Sequence, residues 1–227
     1  MSDTPPPWPQ PEAPASAAPT PPRPGDLAGQ LAGRLCHDFI SPASAINTGL
    51  NLLDDPTAQD MREDAMELIA GSARKLMALL EFSRAAFGTS SGAESFDSRD
   101  LETLAQGVYT HVRPELEWDV EPQSLDKVPA RALLNLAQIG AGALATGGKA
   151  RLFARRDGEI LHVGLEASGP RVRLKPEIEA GLRGQPLPEG CMAGHWVQAY
   201  LLFGLVGGRI TVDLTEDRLA VDIRLPI

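Results

Sequence analysis

The sequence predicts an α+β chain in which a long antiparallel helical hairpin, completed to a four-helix bundle in a dimer, precedes a two-layer α/β sandwich. Three observations predict it. Apolar residues recur at spacings of three and four over two long stretches separated by Asp54-Asp55-Pro56. The run from Gly88 to Ser95, GTSSGAES, has the composition of a linker. Beyond it, short helical patterns alternate with strands joined by hairpin turns, with no internal repeat.

The first helix is predicted from Gly25 to about Asp54, with Asp26 as N-cap and Leu27, Leu31, Leu35, Phe39, Ala43, Ile46, Leu50 and Leu53 on its apolar face. Pro56 disfavours helix at Asp55 and ends it. A second helix follows from about Thr57 to Phe87, with Met61, Ala65, Leu68, Ile69, Leu76, Leu79, Leu80 and Phe87 inward. Such a hairpin is roughly 40 Å long and has one internal seam, so its remaining apolar surface needs another partner; a second copy would make a four-helix bundle, and a dimer is expected. In the second half, Asp100–His111, Pro129–Thr146, Pro176–Arg183 and Gly194–Leu205 read as helices. Leu116–Val120, Arg151–Arg155, Glu159–Glu166, Arg209–Leu214 and Leu219–Leu225 read as strands, the middle pair turning at Asp157-Gly158. The division is therefore 1–24 as a tail, 25–88 as the hairpin, 89–96 as the linker and 97–227 as the α/β domain. The tail holds 10 of the 20 prolines and is expected to be disordered or extended.

Composition excludes several classes. There are 21 Lys and Arg against 30 Asp and Glu, a net charge of −9, which is not the footprint of a nucleic-acid binder. No apolar run is long enough to span a membrane, and the N-terminus lacks the pattern of a secretory signal. Two cysteines, Cys36 and Cys191, stand far apart in no metal-ligand spacing, and a reducing cytoplasm is the default compartment.

On a helical wheel, His37 falls almost opposite the apolar face, on a stripe with Gln30, Arg34, Ser41, Ser44 and Thr48. A solvated histidine is most often only a surface residue. Two details set this one apart. Asp38 follows it directly, and Pro42 sits inside the helix, where it removes the hydrogen bond to the Asp38 carbonyl at a cost of roughly 3 kcal/mol.

Cys36-His37-Asp38-Phe39-Ile40-Ser41-Pro42 resembles the H-box of histidine kinases, His-[Glu/Asp]-x-x-x-Pro. The wider runs LAGRLCHDFISPASAINTGLNLLDD and AQDMREDAMELIAGSARKLMALLEFSR, with FDSRDLETLAQGV and LNLAQIGAGAL, are similar to the ChpT-type histidine phosphotransferases of alphaproteobacterial cell-cycle phosphorelays. The likeness extends from Asp26 to Ile227. It implies that His37 accepts a phosphoryl group from the receiver domain of a hybrid histidine kinase and passes it to a response-regulator receiver. It also implies a cytoplasmic homodimer with no nucleic-acid or membrane partner. No cofactor or metal is expected on this chain, because the magnesium site belongs to the receiver.

The chemistry fits the residues. An ordinary imidazole, with a pKa of about 6.5, is largely neutral and nucleophilic near neutral pH. Asp38 is placed to orient His37 or to take up its proton. Arg34, one turn earlier, either offsets charge on the phosphoryl oxygens or is a solvated helix charge. Receiver docking is expected at Arg34, Ser41, Ser44, Ala43, Ile46, Asn47 and Leu50, with Leu76 and Leu80 on the second helix. Since receiver pockets are themselves acidic, overall charge should slow that encounter, and docking must rest on local features.

By the same resemblance the second half should be built like a histidine-kinase ATP-binding domain with worn motifs. Leu133-Leu134-Asn135-Leu136 resembles the start of the magnesium-binding N-box, but the second Asn falls at Ile139 or Gly140. Ala167-Ser168-Gly169-Pro170-Arg171 stands where Asp-x-Gly-x-Gly reads adenine, and Gly190–Trp196 stands at the phosphate lid without its glycine pattern. Alanine cannot accept from the adenine amine, and Glu166 should point to the other side of its strand. The domain is therefore expected neither to bind nor to hydrolyse ATP but to brace the hairpin and aid docking. His111, His162 and His195 are scattered; His162, in a strand, reads as structural, as does His195, which beside Trp196 could also touch a partner, and Cys36 reads as packing. Two alternatives stand beside the relay: an ATP-dependent histidine kinase with divergent motifs, and a non-catalytic receiver-docking adaptor.

Overall fold

The computed structural model describes residues 21–88 and 95–227. Most of the expected tail and linker lie outside the described residues.

Helix α1 runs from Pro24 to Asp54. Pro24 takes the first helical position, where its missing N–H is no loss. Asp26, expected as the N-cap, is therefore inside the first turn, where it accepts from Arg23 Nε at 2.9 Å and favours the positive helix end. Pro42 is buried and does not break the helix. At the far end the Asp55 carboxylate accepts from both the backbone and the hydroxyl of Thr57, at 2.8 and 2.7 Å. That turn, followed by a 3-10 turn over Gln59–Met61, occupies the first residues expected to be helical, and α2 spans Arg62–Phe87. The two helices pack tightly at Gly49, where a Cβ would lie 2.6 Å from Ile69 Cγ1.

The hairpin does not stand apart. Phe82 and Ala86 on α2, absent from the predicted apolar face, are buried in the core of the second half. Leu27 and Leu31 on α1, expected in the bundle, pack instead with Trp196, Tyr200 and Leu201 of the second half.

That half opens with strand β1 (Ser95–Asp97), so Ser95 and Phe96, assigned to the linker, are sheet residues. β1 pairs antiparallel with β3 (Ser124–Asp126). Strands of three residues show no readable alternation, and neither was predicted. Asp97 caps α3 (Ser98–Tyr109), accepting from Arg99 N at 2.8 Å. A five-stranded sheet has the order β2-β4-β5-β7-β6, formed by Glu115–Val120, Lys149–Asp157, Ile160–Ser168, Arg218–Pro226 and Ile210–Leu214. β2 lies parallel to β4; the other pairs are antiparallel. Asp157 pairs with Ile160, so the hairpin turn is Gly158-Glu159, one residue later than predicted, with Gly158 at φ +58°.

Helices α3, α4 (Lys127–Ala143), α5 (Pro176–Leu182) and α6 (Ala193–Leu205) complete the second layer. Between the layers lie Leu133, Leu136, Leu152, Leu165, Leu219 and Ile223, all buried. The opposite sheet face carries charge: Arg151 joins Asp119 and Glu166, and His162 faces Asp222 at 3.3 Å. Trp196 and Tyr200 stack at 4.6 Å on α6 against the start of α1, which sets the first residues of α6 beside the middle of α1.

Candidate functional site

His37 projects from α1 with its side chain 80% exposed. Its Nδ1 lies 3.4 Å from Asp38 Oδ1. A carboxylate only accepts, so this contact is a hydrogen bond only when the ring proton sits on Nδ1, the tautomer that leaves the Nε2 lone pair free.

The other Asp38 oxygen, Oδ2, accepts from Arg34 Nε at 3.3 Å. Arg34 is only 12% exposed, and its NH1 donates to the carbonyl of Gly194 at 3.4 Å. Of the two readings of Arg34, the solvated helix charge does not hold: the side chain is a link to α6. Gln30, Arg34, His37 and Asp38 form one wall of a cleft of about 390 Å³, and Met192 to His195 form the other. His195, read from sequence as structural, therefore lines the same cleft as His37. Its only sequence signal was its place in the segment resembling the lid; the contact joins residues about 160 apart and has no periodic trace.

Lys175 Nζ lies 3.2 Å from His195 Nε2, and His195 Nδ1 is buried 3.7 Å from Glu177 Oε1 without a hydrogen bond. Burial disfavours the charged His195 ring, and the nearby Arg34 and Lys175 cations add to this, so its pKa falls below the ordinary 6.5. Between that lowered value and 6.5 the unfolded chain binds a proton that the folded chain refuses. The contribution to stability is complete above about pH 6.5 and is lost as pH falls through that window. Melting temperatures from pH 8 to pH 5 should therefore decline less steeply in His195→Gln than in the wild type; parallel curves would remove His195 from the acid response.

Ser41 and Ser44 are exposed on the His37 stripe, with Thr48 Oγ1 donating to the Ser44 carbonyl at 3.0 Å. Ala43 and Ile46 are half-buried, while Asn47 and Leu50 are exposed on another side of α1. The expected docking residues thus do not form one patch. Cys36, expected in packing, is exposed.

At the nucleotide-like positions, Asn135 is buried and its Oδ1 accepts from Gln198 Nε2 at 3.2 Å; the same amide donates to Gln138 Oε1 at 2.8 Å. Ile139 and Ala167 are buried. Glu166 points to the opposite sheet face, held by Arg151 at 2.9 Å and Arg218 at 3.4 Å. Among the described residues no cluster of three or more His, Cys, Asp or Glu is placed to hold a metal ion, and no helix is long and apolar enough to cross a membrane.

Comparison with known proteins gives concordant matches. A family model described as the histidine phosphotransferase C-terminal domain matches residues 98–218. The protein phosphotransferase ChpT of Brucella abortus (strain 2308) is 34% identical over 196 residues, covering 85% of this chain and 92% of that protein. The solved structure of a bacterial phosphotransferase superposes with a TM-score of 0.78 at 31% identity, covering 90% of this chain and 98% of that one.

Proposed function

Because the chain belongs to the histidine phosphotransferase family that includes ChpT, we propose that His37 relays a phosphoryl group between the aspartates of two receiver domains. One observation carries this reading: an 80% exposed imidazole on α1 with a carboxylate at one ring nitrogen. In the first half-reaction the Nε2 lone pair attacks the phosphorus of a receiver's aspartyl phosphate. A P–N bond forms, the P–O bond to the aspartate breaks, and the aspartate leaves as carboxylate. The Nδ1 proton stays on the ring, which becomes cationic, and Asp38 supplies the compensating charge. Transfer to the second receiver reverses these steps. Alignment and charge stabilisation are most of what phosphoryl transfer requires, and the magnesium it uses belongs to the receivers.

The donor in this proposal is the receiver of a hybrid histidine kinase and the acceptor is a response regulator in a bacterial cell-cycle relay in the cytoplasm, as the ChpT likeness implies. ATP is no donor. By the kinase resemblance Ala167 stands where an acceptor for the adenine amine is expected; its buried methyl supplies none, and an unpaired polar group in such a site discriminates strongly.

The acting unit is a homodimer. On α2, Met66, Ala70, Ala73, Met77 and Leu80 alternate in steps of four and three, and on α1 Cys36, Ile40, Ala43, Asn47 and Leu50 do the same. Ile40, Leu50, Met66, Met77 and Leu80 are all exposed in the single chain. Two such seams beside the one shared within the hairpin support a four-helix bundle. Met77→Glu would bury a carboxylate near each seam, and the dimer constant should weaken at least a hundredfold, by roughly 3 kcal/mol or more. Light scattering at micromolar concentration should then find a monomer. An unchanged dimer would assign this stripe to another partner.

The functional test mixes the chain with receiver domains phosphorylated by acetyl phosphate in the presence of magnesium. Acid-labile, base-stable phosphate should appear on His37, and magnesium with ATP alone should give none. Labelling from ATP would establish the kinase alternative, and receiver binding without phosphohistidine the adaptor.

A further inference from the structure

The reactive form of His37 depends on where the Asp38 carboxylate points, and Asp38 is held from the second half of the chain. Arg34 is the link. Its Nε donates to Asp38 Oδ2 at 3.3 Å and its NH1 to the Gly194 carbonyl at 3.4 Å, while Asp38 Oδ1 faces His37 Nδ1 at 3.4 Å. The Arg34 stem packs on Gly194 closely enough that a Cβ there would lie 3.4 Å from Arg34 Cβ. With 12% of its side chain exposed, Arg34 offers little to a docking partner, unlike the 80% exposed His37. Its planar fork bridges two acceptors from two halves of the fold, a geometry that a single ammonium on a flexible stem does not reproduce.

We propose that Arg34 is a positioning residue: clamped to the Gly194 carbonyl of α6, it holds Asp38 so that His37 keeps its proton on Nδ1 and presents Nε2 to the phosphoryl group. The second half of the chain thereby selects the reactive tautomer as well as bracing the hairpin. Hydrogen bonding at one ring nitrogen decides which nitrogen reacts, and the outer partner that fixes the orienting carboxylate contributes through it. The inference rests on His37 being the phosphoacceptor, so its test separates the two claims.

The test uses the full chain labelled with 15N at histidine. Long-range 1H–15N correlation at pH 8 reads the His37 tautomer without any transfer. Potassium phosphoramidate, which gives its phosphoryl group to an imidazole and releases ammonia, reads Nε2 reactivity without a receiver. The wild type should show the Nδ1–H tautomer. Arg34→Gln should move the ring towards Nε2–H and slow Nε2-phosphohistidine formation about tenfold. Arg34→Lys, with the charge but not the fork, should resemble Arg34→Gln. Gly194→Val, which adds bulk against the Arg34 stem from α6, should shift the tautomer in the same direction, and it decides the matter if the Arg34 variants do not fold. A wild-type tautomer and rate in Arg34→Gln, full recovery by Arg34→Lys, or an unaltered ring in Gly194→Val would each overturn the clamp. Absence of phosphohistidine in the wild type would instead sink the relay, while the tautomer comparison still judged Arg34.

Discussion

His37→Ala should carry no phosphoryl group after mixing with any phosphorylated receiver, yet melt within about 2 °C of the wild type. Both halves of that expectation follow from exposure. The His37 side chain is 80% in solvent, and its one polar contact among the described residues is the 3.4 Å approach to Asp38. Removing it takes nothing from the core, and alanine is the better helix former by a few tenths of a kcal/mol. The transfer loss is complete because, in the proposed relay, the imidazole is the covalent carrier of the group rather than an aid to its passage. Mass spectrometry of the mixed proteins and a thermal melt provide the two readouts. Transfer that survived in this variant would direct attention to His195, the other imidazole of the cleft.

Asp38→Asn should keep the fold and the phosphoacceptor and slow single-turnover transfer by about a hundredfold or more. The magnitudes of the two effects separate them. As an ion pair, Asp38 with Arg34 is partly exposed, 26% and 12%, and such a pair contributes at most about 1 kcal/mol to stability. As the counter-charge to a ring that turns cationic on phosphorylation, the carboxylate acts where the barrier lies. Asparagine can accept from Nδ1–H through its oxygen, but it brings no charge, and flipped it presents an N–H₂ that favours the wrong tautomer. The expected signature is a large change in rate with a small change in melting temperature. Equal rates in the two proteins would leave Asp38 only its role as an Arg34 partner.

The helical hairpin was legible because both helices are long and strongly periodic, and Asp55-Pro56 marks their junction. The five strands of the main sheet were legible from alternation and turn glycines. The pair β1 and β3 was not, since three residues carry no period. The His37-Asp38 pair was readable for a local reason: the two residues are adjacent on a polar stripe, and their relation depends only on the turn of one helix. Leu27 and Leu31 mark the limit of the same argument. Their spacing identified a buried face correctly but could not say that Trp196 and Tyr200, rather than the hairpin partner, bury it.

The sequence by itself determined the class of fold and the exposed His37-Asp38 pair, because each depends on residue type and on spacing within one element. Tertiary structure alone decided that the segment resembling a phosphate lid stands against α1, that Arg34 is tied to Gly194 rather than solvated, and that His195 lines the same cleft as His37. Those relations join residues about 160 apart through the stacking of Leu27 and Leu31 on α6, and packing between distant elements writes no period into a sequence.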